Sequence, residues 1–163
     1  MRARLLGAAA AVMVVGGAAA AVGPSLRSHG PCQAVRQEPL DVRSFQHVLP
    51  GAATPVYARL PPTSGPHQVA VVDGGVVDVS YPPQVQVGIL EGGRVLVQHQ
   101  GISGPQFLAL RAIAGPDVVV APGEDIGAPI VATSWQRRLV CSDVDLGALR
   151  RFVATREAPP GHR

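Results

Sequence analysis

Residues 87–99 read VGILEGGRVLVQH, and where this run is cut decides the fold. Glu91 is followed by Gly92 and Gly93, and from Arg94 to His99 apolar residues alternate around Val95 and Val97. That period of two predicts a strand. A Glu-Gly-Gly turn feeding a strand is also where a fold sets a site at the mouth of its sheet. The companion run is PPTSGPH at 61–67, a turn fixed by Pro and Gly that ends on His67.

Downstream the pattern is regular. Ser103 offers an N-cap with Pro105 in the first turn, and Phe107, Leu110 and Ile113 recur at helical spacing until Gly115. Asp117–Ala121 suits a buried strand, 122–129 a loop, and Ile130–Trp135 and Leu139–Cys141 further strands. Ser142 is the expected cap of a last helix carrying Leu146, Leu149, Phe152 and Val153 on one face. Trp135 reads as a core plug.

Upstream the chain is rich in turns. Gly30–Gly65 reads as an extended arm with a short strand at Thr54–Arg59. His67–Val72 and Val76–Val79 read as a strand pair around Asp73-Gly74-Gly75, and Tyr81-Pro82-Pro83 as a helix stop. The fold class expected is therefore α+β: a small mixed β-sheet with two helices packed on one face, preceded by a Pro/Gly-rich arm. If the strands at 94–99 and 117–121 are parallel neighbours, their crossover is right-handed. The divisions are a leader at 1–24, the arm at 25–60, the α+β domain at 61–157 and a disordered tail at 158–163.

The chain's 163 residues allow one modest core. All 14 basic residues are Arg, so Schiff-base and phosphate-loop lysines are excluded. With Arg2 and Arg4 assigned to the leader, 12 Arg face 11 acids in an interspersed pattern, which argues against nucleic-acid binding. Those two arginines precede an uncharged run at 5–22 rich in Ala, Gly and Val. Such a run is a signal peptide or, uncleaved, a membrane anchor, and either places the domain outside the cytoplasm. The residues before Cys32 do not form a lipidation signal. Cys32 and Cys141 are the only cysteines, and in an oxidising compartment they are expected to form one disulfide.

No catalytic constellation emerges. Ser64 lacks a nucleophile elbow, Asp73, Asp78 and Glu91 lie between turn residues, and the paired glycines lack the context of a phosphate loop. A metal set drawn from His47, His67, Glu91 and His99 has adequate chemistry for zinc or another divalent ion, but its members are scattered in sequence.

PPTSGPH, the LEGG segment at 90–93, TSW at 133–135 and a final helix following Cys141 together resemble the domain of unknown function 3105 family, from about Cys32 to Glu157. In the family pattern a Val-His-Asn-Leu-Glu-His-Gly segment stands at 87–93. Val87, Leu90, Glu91 and Gly93 match it, Gly88 and Gly92 replace the two histidines, and His99 stands where Tyr is common. The resemblance implies an inverted-zincin-like spacing in relatives. It implies that here two nitrogen ligands are gone, with His67, Glu91 and His47 remaining. The function expected is a non-catalytic binding or scaffolding protein of the cell envelope, its ligand or protein partner unknown and no cofactor required. A metal-binding envelope protein using His47, His67 and Glu91, and a thiol–disulfide redox protein, remain alternatives.

Overall fold

The computed structural model describes residues 30–157 and 159. Elements follow in the order β1 (Arg36–Gln37), β2 (Gly75–Val76), α1 (Pro83–Glu91), β3 (Val95–His99) and α2 (Gly104–Leu110). A 3-10 turn (Arg111–Ile113), β4 (Val118–Pro122), β5 (Ile130–Ser134), β6 (Arg137–Cys141) and α3 (Leu146–Ala154) complete them. The six strands form one mixed sheet in the order β1-β6-β5-β3-β4-β2. β3 and β4 are parallel neighbours joined through α2, while β5 and β6 form an antiparallel hairpin beside β3.

Alternation along the strands builds two cores. Val95, Val97, Val120, Ile130, Ala132 and Leu139 face α2 and α3, whose Leu110, Leu149 and Phe152 cover them. Leu96, Val119 and Ala121 face the other way and meet α1 through Val87, Ile89 and Leu90, with Trp135 buried in the same layer. α2 and α3 are the two helices expected on one face. α2 starts on the expected cap, Ser103, which forms a capping box with Gln106. α3 is capped not by Ser142 but by Asp145, whose Oδ1 accepts from the Ala148 amide at 2.8 Å.

α1, on the opposite face, corrects the reading of 81–93. Pro82 and Pro83 do not stop a helix there; they begin one, because the first helical position needs no amide donor. Its other signals are masked by burial. Gln84 and residues 86–90 are all buried, since the helix lies between the sheet and residues 68–72, so no polar stripe marks its period. Nor does the double glycine open the strand; it closes the helix. Gly93, at φ +79°, sits in the left-handed region, its amide bonds to the Leu90 carbonyl at 3.0 Å, and the Arg94 amide reaches back to Ile89. This is a Schellman terminus, which favours glycine at the left-handed position.

Two other expected elements are absent. Residues 54–59 form no strand, and 68–72 pair with nothing as a strand; only His67 makes an isolated parallel bridge, to His47. β2 pairs instead with β4. Val69 and Val71 are largely exposed, so their alternation had no sheet face to fill.

Cys32 and Cys141 are disulfide-bonded, tying the arm to the last residue of β6. Closing 109 residues removes about 4–5 kcal/mol of denatured-state entropy in the chain-entropy model. Replacing both cysteines with Ser is expected to lower stability by about that much, read as a drop in the urea midpoint that reductant reproduces in the parent chain. Among the described residues no helix is long and apolar enough to cross a membrane. The run at 5–22, on which the leader or anchor rests, lies outside them, as does the tail apart from Pro159, which is buried.

Candidate metal centre

Residues 61–67 are buried at every position. A Pro- and Gly-rich turn offers few amide donors of its own, and side chains from elsewhere fasten it. Arg138, only 5 % exposed, donates to the Leu60 carbonyl at 3.1 Å and to that of Pro61 while bonding Glu38 at 3.1 Å. The Ser64 hydroxyl accepts from the Asp41 amide at 3.0 Å, and the Gly65 amide donates to the Ser44 hydroxyl at 2.9 Å. Hydrogen bonds from the Arg43 guanidinium hold Asp41 below the usual carboxylate range, so this corner stays charged and paired at neutral pH. Tyr57 donates its hydroxyl to the Pro66 carbonyl, and burial pushes its pKa up to about 12, so the donor keeps its proton. Gly65 is needed at φ +127°, where a Cβ would lie 2.9 Å from the Tyr57 ring.

What this bracing positions is His67, fully buried. Its Nδ1 lies 2.9 Å from the Gly65 carbonyl oxygen. A carbonyl only accepts, so Nδ1 carries the proton and Nε2 is the atom turned to the site. There it meets Glu91 Oε2 at 2.5 Å. His47 comes from the arm. Its bridge to His67 is closed by the Val48 amide on the His67 carbonyl at 2.8 Å and the His67 amide on Gln46 at 3.0 Å. The two rings stand edge to face, 4.8 Å apart, and His47 Nε2 is 3.8 Å from Glu91 Oε2.

Glu91 arrives on the last turn of α1, and Gly88 decides how close that helix comes. A Cβ at 88 would sit 2.1 Å from the Gln68 carbonyl oxygen. The bare glycine lets the helix lie directly against the residue after His67, while the Gln68 amide bonds to the Gln84 carbonyl at 3.1 Å. The site is therefore not a vacancy left by an imidazole at 88. An imidazole would not fit there, and the contact that excludes it sets Glu91 beside His67. A Cβ at Gly92 meets only ordinary or slightly tight neighbours, the nearest being the flexible end of Arg94 at 3.3 Å.

Three segments distant in sequence thus place one donor each from His47, His67 and Glu91 within 4.8 Å of one another. Two imidazoles and a carboxylate suit zinc and its neighbours among the transition ions rather than calcium or magnesium. Ligands at tetrahedral zinc stand about 3.3 Å apart. The 2.5 Å hydrogen-bonded pair would open by under about 1 Å to admit an ion, and His47 would close by about 0.5 Å on Glu91 and by up to about 1.5 Å on His67. Nε2 of His67 can hold a proton against Glu91 or donate its lone pair to a cation, one or the other.

His99 does not join this group. It ends β3, with its ring tilted against Phe107 at a centroid distance of 5.0 Å. Burial holds its pKa below the ordinary value. The folded state then binds this proton less readily than the unfolded one, so the associated stability is intact above about pH 6.5 and is lost as pH falls towards the folded value. Replacing His99 with Gln is expected to flatten the loss of stability between about pH 7 and pH 5, read from urea midpoints across that range.

Of the four residues named from the sequence, the structure brings His47, His67 and Glu91 together and leaves His99 apart; what assembles the three was missed: α1, Gly88, and the Ser44, Tyr57 and Arg138 braces. Pro at a first helical position and glycine at a left-handed helix end were the available signals for α1. Comparison of the chain with curated proteins and with solved structures found no match. Residues 51–162, more than half of the chain, match the model of a protein family of unknown function, DUF3105, and the chain belongs to that family.

Proposed function

We propose that this chain is an extracytoplasmic, non-catalytic binding protein whose ligand is a divalent transition-metal ion, held by His47, His67 and Glu91. The observation that carries the reading is the convergence of those three side chains, one from the arm, one from a buried turn and one from a helix end. The second support is the hydrogen bond from His67 Nδ1 to Gly65, which fixes the ring and turns Nε2 to the site, as outer partners do for metal-bound imidazoles. The Cys32–Cys141 bridge agrees with an oxidising compartment, and with the charged-then-apolar leader it supports placement outside the cytoplasm.

Titration calorimetry of the full chain with Zn²⁺ tests the reading. One ion per chain with micromolar or tighter affinity is expected, and none after His47→Ala. Absence of heat at micromolar zinc retires the proposal.

A further inference from the structure

We propose that the cavity between the arm and the 61–67 turn is a second binding site, and that its ligand is a small uncharged polyhydroxylated molecule, a single saccharide unit foremost. None of His47, His67 and Glu91 lines this cavity, and the inference stands independently of the metal reading.

The cavity encloses about 330 Å³ where the arm crosses the buried turn and β6. That is the small end of ligand pockets, which run from about 300 to 1,000 Å³. Its wall carries charges that already answer one another. Glu38 accepts from Arg138 at 3.1 Å and lies 3.9 Å from Arg59 Nε, while Asp41 accepts from Arg43 at 2.7 Å. The charged lining is therefore two carboxylates, Glu38 and Asp41, and two guanidiniums, Arg59 and Arg138, with no net charge.

That balance selects the ligand. A charged molecule would have to break one of these pairs to gain a partner of its own. A hydroxyl need not, because a carboxylate has about four acceptor sites and a guanidinium five N–H donors. Each pair keeps capacity for a group that gives one hydrogen bond and takes another.

Thr63 marks the same wall as polar by design. It is only 5 % exposed, it lines the cavity, and its hydroxyl bonds to no other described residue, although Ser64 beside it is fastened to the Asp41 amide. Buried hydroxyls in native proteins find partners, and a ligand hydroxyl can supply this one. Tyr57 adds the apolar side. Its own hydroxyl is committed to the Pro66 carbonyl, so what it offers the cavity is ring, against which the C–H face of a sugar packs.

The test is saturation-transfer NMR on the full chain in excess EDTA, which takes the metal centre out of the readout. Glucose and N-acetylglucosamine are the neutral probes; glycine, a zwitterion, and glucuronate are the charged ones. Saturable transfer to a neutral sugar with millimolar affinity, and weaker transfer to both charged probes, is the expected result. Thr63→Val removes only the unpartnered hydroxyl. It should leave the urea midpoint at or above that of the parent and weaken sugar binding by about fivefold to tenfold. Arg59→Ala, at a side chain 59 % exposed, is a second variant that should weaken binding while the chain stays folded. Transfer to neither sugar at tens of millimolar overturns the proposal. Equal or stronger binding of a charged probe overturns it too, as does sugar binding that both variants leave at the parent value. Zinc calorimetry without EDTA reads the metal centre separately, so either reading can fail without the other.

Discussion

His67→Ala is expected to abolish tight metal binding and to weaken the fold, two losses that separate experimentally. Removing an outer partner of a metal ligand already costs ten- to a hundredfold in affinity, so loss of the innermost ligand should exceed about a hundredfold. The fold suffers because His67 is fully buried and its Nδ1 satisfies the Gly65 carbonyl. A cavity plus a carbonyl stripped of its donor costs about 2–4 kcal/mol. His47→Ala isolates the metal contribution. That side chain is 56 % exposed, so the apo protein should change by less than about 0.5 kcal/mol while zinc affinity falls as steeply as in His67→Ala. Urea unfolding without metal and calorimetry with it read the two effects. Mass action adds a check: zinc at a hundredfold over its dissociation constant should stabilise the parent chain by about 2.7 kcal/mol and neither variant. If His47→Ala binds zinc like the parent, the three side chains meet for structural reasons alone.

Gly88→Ala should be a strongly damaging change for a single added methyl. On propensity alone the change stabilises a helix by about 1 kcal/mol. Against that stands a Cβ placed 2.1 Å from the Gln68 carbonyl oxygen, a backbone atom that cannot rotate aside. Overpacking of this kind costs about 1–3 kcal/mol or more, and here it should win. A net destabilisation of at least about 2 kcal/mol is expected, and Gly88→His should not fold stably. Because the helix can relieve the clash only by moving off residue 68, Glu91 should withdraw from His67 and metal affinity should drop in any Gly88→Ala protein that survives. Gly92→Ala is the control: its Cβ meets the mobile tip of Arg94 at 3.3 Å, and the change should stay within about 1 kcal/mol. A stable, metal-binding Gly88→His chain would show that the helix and the backbone at residue 68 are not in contact.

The contrast between those two glycines shows where local reading ended. Both looked alike as substitutions within VGILEGG, yet one is an obligatory contact and the other is not, and the difference is an oxygen contributed by residue 68. The same holds for α1. Its apolar residues at 85, 87 and 89 alternate as a strand's would, and its glutamines at 84 and 86 are buried. With burial on every side, periodicity carries no signal. β3, β4, β5 and the apolar end of β6 at 139–141 were legible because each is short, apolar and bounded by turn residues, and α2 because Ser103 and Pro105 mark its start.

By itself the sequence determined the α+β class, the four strands β3 to β6, the pairing of its only two cysteines and the residue types of a candidate metal set. It could do so because those properties depend on local pattern, on elimination or on side-chain chemistry. Tertiary structure alone decided that His47, His67 and Glu91 belong together and His99 does not. Their approach depends on a buried turn braced by distant side chains and on a helix that lies flush because Gly88 has no Cβ, distances that no spacing along the chain encodes.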